Sequence, residues 1–359
     1  MQINHNMSAV TANNHLKRTE DAVTASIERL SSGLRINHAS DDSAGMAISN
    51  KMHAQIKALD QASRNASDGT SVIETADGAL NEVTSMIQRM RELAVQAAND
   101  TNTTTDLEAI QVEIKALKDE IDRVSTDTEF NTMALLDGTL ERRTYPSDSS
   151  VVSNISTADD VLVGDYAIIV NSVDTDGTQD ASITLGDGFS DTAEWTAQGN
   201  YITITDEDGF EMTMTVKATG TATLEVTSLG QMTLQVGANE GQEIDLSIPR
   251  IDTESLHIDG IDVTEEDGAD TAIALLDVAL EKVSSTRSKL GAYENRLDYS
   301  VSSLDAFEEN MESAVSRIED VDMAEEMSEY TKQNVLSQAA TSVLSQANEI
   351  PQQVLQLLQ

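Results

Sequence analysis

From Met52 to Ala97 the apolar and small residues recur in alternating steps of four and three: Leu59, Ala62, Ala66, Gly69, Ile73, Ala76, Leu80, Val83, Ile87, Met90, Ala94 and Ala97. This heptad lays one stripe along a helix, and another helix has to cover it. At about 1.5 Å of rise per residue the segment spans roughly 70 Å, more than a compact domain is wide. A chain built on it is expected to form a rod.

The cover is found at the other end of the sequence. From Ile273 the same spacing runs through Leu276, Leu280, Val283, Leu290, Leu297, Val301, Leu304, Met311, Val315 and Ile318, interrupted by Arg287, Glu294 and Glu308. A shorter run, Leu107, Ile110, Ile114, Leu117, Ile121 and Val124, follows the polar turn Asn99 to Asp106. Any one of these stripes is what ordinary core packing produces. Their presence at both ends of the chain, around a different middle, predicts three helices sharing one seam.

A chain of 359 residues has room for two or three domains. With 3% aromatics and three prolines it suits long helices better than a large aromatic-lined pocket. It has no cysteine, which excludes disulfides, a thiol nucleophile and cysteine-ligated metal. No stretch reaches the ~18 apolar residues of a membrane span, and the N-terminus lacks the pattern of a cleavable secretory signal. Export from the cell is therefore expected to take another route. The net charge of −41 is concentrated in the middle, where Lys217 and Arg250 are the only Lys or Arg between Thr144 and Asp270. Such a surface repels phosphate backbones and anionic lipid, so neither nucleic acid nor membrane is an expected partner.

The two ends differ from the rest. Met1 to Leu16 contains no Asp, Glu, Lys or Arg, and offers Ile3, Met7, Val10 and Leu16 among amides and hydroxyls. From Thr331 to Gln359 only Lys332 and Glu349 are charged, while Val335, Leu336, Val343, Leu344, Ile350, Val354, Leu357 and Leu358 follow amphipathic helical spacing. Charge-poor helices in so acidic a chain are expected to be buried between molecules and to order on assembly. Between the N-terminal helix and the long stripe, Ser31, Ser32 and Gly33 have low helix propensity. Asn37 to Asp42 then supplies turn formers and an N-cap for a helix opening near Ser43.

IERLSSGLRIN, DDSAGMAISNKM, QASRNASDGTSVIETADGALNEV and QRMRELAVQAAND, in that order, closely resemble bacterial flagellin. LQVGANEGQEIDLSI and the C-terminal SQANEIPQQVLQLLQ resemble the same family, so that the likeness covers roughly residues 1 to 140 and 230 to 359. The chain ends in Gln359, where many relatives end in Arg. The resemblance implies terminal helices at 1–43 and 321–359 that form the inner core of a filament, and a helical rod from 44–140 and 231–320. It also implies a variable outer domain at 141–230.

That middle segment changes character. Tyr201 to Thr205 and Phe210 to Val216 alternate with period two around Asp206 to Gly209, which signals a β-hairpin. Val161 to Val170, Ala181 to Leu185 and Thr221 to Val226 read as further strands, and Met232 to Val236 with Ile244 to Ile248 return the chain to the rod. The expected fold is mainly α with a β insertion: a long antiparallel coiled-coil rod from the N- and C-terminal segments, and a small antiparallel β domain between them.

Some flagellins carry an HExxH helix in their insertion. Here His5, His15, His38, His53 and His257 stand outside any such motif, and no phosphate loop or serine elbow is present, so no enzyme activity, metal or cofactor is expected. Asp174, Asp176, Gly177 and Asp180, with Asp206, Asp208 and Gly209, resemble calcium loops only in part and are better explained as acidic turns.

Gln88, Arg89, Leu93 and Glu113 match, by resemblance, the flagellin surface sensed by a vertebrate Toll-like receptor, although Arg89 could equally pair with Glu92 or Glu113 as a simple helix face. The family further implies a helical homopolymer, an export chaperone on the C-terminal segment, and contacts with filament cap and hook-junction proteins. Location in a secreted, extracellular flagellum is implied as well. The inner core of the polymer is expected to bury Ile3, Val10, Leu16, Val335, Leu336, Val343, Leu344, Ile350, Val354, Leu357 and Leu358. Two other readings compete: a hook-filament junction protein, and an adhesin in which the β domain is the binding module.

Overall fold

The computed structural model of the chain describes residues 6–99, 101–157, 161–173, 181–190, 192–198, 200–206, 210–227, 230–265 and 267–357, with the backbone alone for 198, 211 and 351–357. These residues fall into two compact units, one within 1–61 and 304–359, the other within 62–303. Each helix starts and stops where local chemistry dictates. Helix α1 (Met7–Ser32) opens on Asn6, whose side chain accepts from the Ala9 N–H, and closes on Gly33, which takes the left-handed conformation at φ 75. Helix α2 (Ser43–Ala97) is capped by Asp42, whose Oδ1 accepts from the N–H of Ala44 and Gly45. In α3 (Thr104–Asp127), Thr103 and Asp106 form a reciprocal capping box. Two C-terminal helices follow the β strands, α4 (Gly268–Glu319) and α5 (Met323–Leu357), and Asp322 Oδ1 caps the latter.

In the second unit the predicted seam is present. Ala66, Ile73, Ala76, Leu80, Val83, Ile87 and Met90 from α2 share one core with Ile110, Ile114, Ile121 and Val124 from α3 and Leu276, Val283, Leu290 and Leu297 from α4. Leu80, Ile87, Met90, Ile114 and Ile121 are fully buried, each stabilising the seam by about 1.5–3 kcal/mol relative to exposure. On the stripe, a Cβ at Gly69 would meet terminal methyl groups of Leu234 and Leu297. Arg287, the first interruption of the α4 stripe, reaches Asp77 of α2 at 2.8 Å. β1 (Glu129–Phe130) and β2 (Met133–Ala134) form a short antiparallel turn after α3.

The β insertion, in the same unit, is two antiparallel four-stranded sheets. β3 (Thr144–Pro146), β10 (Gly220–Val226), β5 (Gly164–Ser172) and β6 (Ser182–Leu185) lie in that order. β4 (Val152–Thr157), β9 (Glu211–Val216), β8 (Tyr201–Thr205) and β7 (Glu194–Gln198) form the second sheet. Their inner faces share a core of Ile168, Val170, Ile202, Ile204, Met212, Met214 and Leu224. The expected hairpin is β8 with β9, in register from Tyr201↔Thr215 to Thr205↔Glu211. Three strands have no alternating signal: β4 carries a bulge between Ser153 and Ser156 with Asn154 at φ 49, β3 ends on Pro146 at a sheet edge, and β7 is a polar edge strand. The hairpin of β11 (Met232–Gln235) and β12 (Glu243–Leu246) then leads back to the helices.

Candidate assembly and recognition surfaces

In the first unit α1 packs along α5. Little apolar surface is covered by this pairing. Ala12 and Ala347 are buried, and Asn6 Nδ2 donates to the Ala347 carbonyl at 2.8 Å, setting the two helices antiparallel. Large side chains face outward: Met7 is 66% exposed, Val10 50%, Val335 60%, Leu336 45%, Val343 54% and Ile350 51%. Leu16 and Leu344 are half-buried. Of the remaining residues expected in the inner core, Ile3 and Leu358 lie outside the described residues, as do the side chains of Val354 and Leu357.

The non-helical links α1–α2 and α4–α5 meet. Leu34 and Asp320 form an antiparallel bridge, with Val321 N–H donating to the Gly33 carbonyl and Arg35 N–H to that of Glu319. Glu319 ties them to α2: one carboxylate oxygen accepts from the fully buried Ser49 hydroxyl, the other lies 2.9 Å from His53 Nε2. Burial works to raise the Glu319 carboxyl, but these hydrogen bonds outweigh it and hold it below the usual range. Above the links, Glu326 is buried 3.7 Å from Arg29.

In the second unit, Gln88, Arg89 and Glu113 form an exposed polar patch. Arg89 donates through Nε and Nη2 to Glu113 Oε1 at 3.0 and 2.9 Å, and through Nη1 to Glu92 at 3.0 Å. These hydrogen bonds, Glu113's first, raise the guanidinium pKa. Leu93 does not belong to this surface. It is 3% exposed and sits in the helical core. A two-helix seam would bury only the stripe of Met90, Ala94 and Ala97; because both α3 and α4 cover α2, the buried face widens by one position and takes in Leu93.

The neck of the β insertion contains polar groups that no sequence pattern marked. Glu141 is buried where the chain leaves the helices, and its two oxygens bind separate elements: Oε1 accepts from Thr157 N–H of β4 and Oε2 from Arg250 N–H after β12. Burial pushes its carboxyl up, against hydrogen bonds from Ser156 and Arg250 and the charge of Lys282. Gly230, at φ 106, passes so close to the Glu141 carbonyl that no Cβ would fit. Farther out, Tyr201 of β8 stacks on His257 with centroids 3.5 Å apart, and Asn154 donates to Glu254 at 2.7 Å. Burial, reinforced by Lys282, lowers His257 to about 4, so its ring is neutral and Nδ1–H can donate to the Glu254 carbonyl. A glutamate and a histidine in loops carry no periodic signal, so only tertiary structure reveals these contacts.

Among the described residues no three His, Cys, Asp or Glu side chains are placed to hold a metal. Of the partial calcium loops, only Asp206 lies within them. No described helix is long and apolar enough to cross a membrane.

The architecture is that of a helical protein whose paired terminal segments leave aliphatic side chains exposed, the mark of an interaction surface. Comparison with known proteins specifies the family. Residues 3–141 match the bacterial flagellin N-terminal helical region and residues 273–358 the bacterial flagellin C-terminal helical region. Flagellin of Bacillus subtilis (strain 168) is 40% identical over 360 residues, covering 100% of both chains. Flagellin of Clostridium tyrobutyricum is 39% identical over 381 residues, 97% of this chain and 99% of its own. The crystal structure of Bacillus cereus flagellin aligns with 67% of this chain and 88% of its own, at 23% identity and a TM-score of 0.39. The chain belongs to the flagellin family, whose members are structural subunits of the extracellular flagellar filament.

Proposed function

We propose that the chain polymerises into a flagellar filament through its two terminal helices, as a structural subunit without catalytic activity. The observation that carries this reading is the aliphatic surface of α1 and α5, from Val10 at 50% exposed to Val335 at 60%. In an isolated acidic chain this surface is costly; packed against copies of itself it returns about 25 cal/mol per Å² removed from water. Residues 1–43 and 321–359 form the inner core in this reading, 44–140 and 231–320 the rod around it, and 141–230 the acidic outer domain facing the medium. Ile3, Val354, Leu357 and Leu358 join the same core.

Export as an unfolded chain follows, with a chaperone masking the apolar C-terminal segment until the filament cap and hook-junction proteins receive it. The patch of Gln88, Arg89 and Glu113 is the surface offered to the Toll-like receptor, with Leu93 supporting it from beneath. Arg89→Asp monomer is expected to lose signalling in a receptor-reporter assay; undiminished signalling would remove the patch from this role.

The test of assembly is negative-stain microscopy of monomer added to filament seeds. The full chain is expected to elongate them, while a chain lacking 1–43 and 321–359 stays folded and monomeric. A full chain that stays folded and does not elongate seeds would overturn the filament reading.

A further inference from the structure

Thirteen methionines carry all of the chain's sulfur, since it has no cysteine. Burial sorts them by region. In the helical seam Met90 is 0% exposed, and in the β insertion Met212 and Met214 are 0% exposed as well. The exposed methionines among the described residues are Met7 at 66%, Met323 at 48% and Met327 at 49%, and all three belong to α1 or α5. The others described are half-buried. Because α1 and α5 run antiparallel, with Asn6 beside Ala347 and Leu34 beside Asp320, Met7 stands at one end of the pair and Met323 with Met327 at the other. Met7 lies one turn from the exposed Val10, and Met323 and Met327, four residues apart, share a face.

The thioethers open to solvent are thus confined to the helices that carry assembly in the filament reading. We propose that Met7, Met323 and Met327 are oxidative modification sites: a peroxide converts them to sulfoxides on the free monomer, and the sulfoxides keep that monomer out of the polymer until they are reduced. In this step the thioether sulfur attacks one peroxide oxygen. An S–O bond forms as the O–O bond breaks, the sulfur gives up two electrons, and the other oxygen leaves as water with both peroxide hydrogens. The reaction needs sulfur in contact with solvent, so Met90, Met212 and Met214 are spared and the seam and the β insertion keep their folds. Each product replaces a flexible apolar side chain with a polar, chiral one. On the monomer its oxygen is hydrated; buried between copies without a donor it opposes the contact. Val10, Val335 and Leu336 offer the same kind of apolar surface and cannot be altered this way, so the sensitivity resides in the methionines. A copy already incorporated has these thioethers covered and is protected. This inference rests on the filament reading and adds a chemical state that decides which monomers are competent to join.

The test uses the unsubstituted full chain. Monomer partially oxidised with hydrogen peroxide is added to filament seeds, and the pelleted filament and the monomer left behind are digested and mass-analysed peptide by peptide. Sulfoxide at Met7, Met323 and Met327 is expected to form before that at Met90, Met212 and Met214, and to be at least about tenfold scarcer in the filament than in the remaining monomer. A second arm treats oxidised monomer with methionine sulfoxide reductases for both epimers, which should restore its growth to that of untreated chain. Equal sulfoxide content in the two fractions of a growing sample overturns the inference and leaves the filament reading standing. The same holds for oxidation spread evenly over buried and exposed methionines, or for reduction that returns the thioethers without returning growth. Oxidised monomer that loses its helical circular dichroism overturns it too, by placing the effect in folding. Failure of the untreated chain to lengthen seeds overturns both readings.

Discussion

The two units use the same sequence device to opposite ends. In the second, the stripe on α2 meets helices on two sides, and Leu80, Val83, Ile87 and Met90 are each 0% exposed. In the first, α1 packs along α5 and, among the described residues, leaves aliphatic side chains of equally helical spacing in solvent, Val343 at 54% among them. A periodic stripe therefore says that a helix needs covering without saying whether its own chain supplies the cover. The number of partner helices decides that, and the shortage in the first unit is what a polymer would fill.

Substitutions on the two stripes should sharpen this contrast. The largest effect is expected in the seam: Leu80→Ala should cost about 2–5 kcal/mol in chemical denaturation, because a fully buried side chain leaves a cavity between three helices. A loss below about 1 kcal/mol would mean that the seam relaxes as freely as the terminal pair. Next comes pH. His257 is held near 4 when folded, against about 6.5 when unfolded, so the unfolded chain binds the extra proton between these values. Stability from this group is fully present above about 6.5 and is lost as pH falls towards 4, by at most about 3 kcal/mol. Glu141, whose carboxyl is raised, works in the opposite sense, relieving its cost as pH falls through its folded value. His257→Asn, which tolerates the positive φ of 60 at that position, should flatten the decline in urea midpoints measured at pH 7, 5 and 4. An unchanged slope would show that the histidine does not set it.

A smaller effect separates two glycines on α2. Gly78 has open space where a Cβ would stand, so Gly78→Ala should stabilise the second unit by up to about 1 kcal/mol through helix propensity. Gly69→Ala gains the same propensity but presses on Leu234 and Leu297, and the overpacking should leave it about 1 kcal/mol less stable than the unchanged chain. Equal shifts of thermal midpoint in the same direction would refute the tight seam there. The smallest change in stability is expected on the exposed stripe, where Val335→Ala should move the monomer's denaturation midpoint by less than about 0.5 kcal/mol while slowing seeded growth.

Much of this architecture was legible in the residues because periodicity reports burial. The stripes of α2, α3 and α4, the stops at Gly33 and Asp42, and the β8–β9 hairpin all follow from local chemistry. What was illegible depends on partners far away in sequence. Leu93 changes from surface to core because a third helix arrives; β4 hides behind a bulge; Glu141 and His257 acquire their environments from segments distant in sequence, and Glu319 from Ser49 and His53 of α2. At the candidate surfaces the same division holds: Arg89 and Glu113 meet as the helix spacing allows, whereas the burial of Leu93 beneath them requires knowing that α2 is covered from two sides.

One detail of the neck bears on how such a protein can change over generations. The Arg143 carbonyl accepts from both the N–H and the hydroxyl of Thr227, at 3.0 and 2.8 Å, so the segments entering and leaving the outer domain are joined at its base. An insertion or deletion between them alters a loop closed at its base and shifts no heptad in α2 or α4. The exterior of a polymer could thus be rewritten in length and chemistry while its lattice is inherited intact, provided the replacement supplies a donor for Glu141.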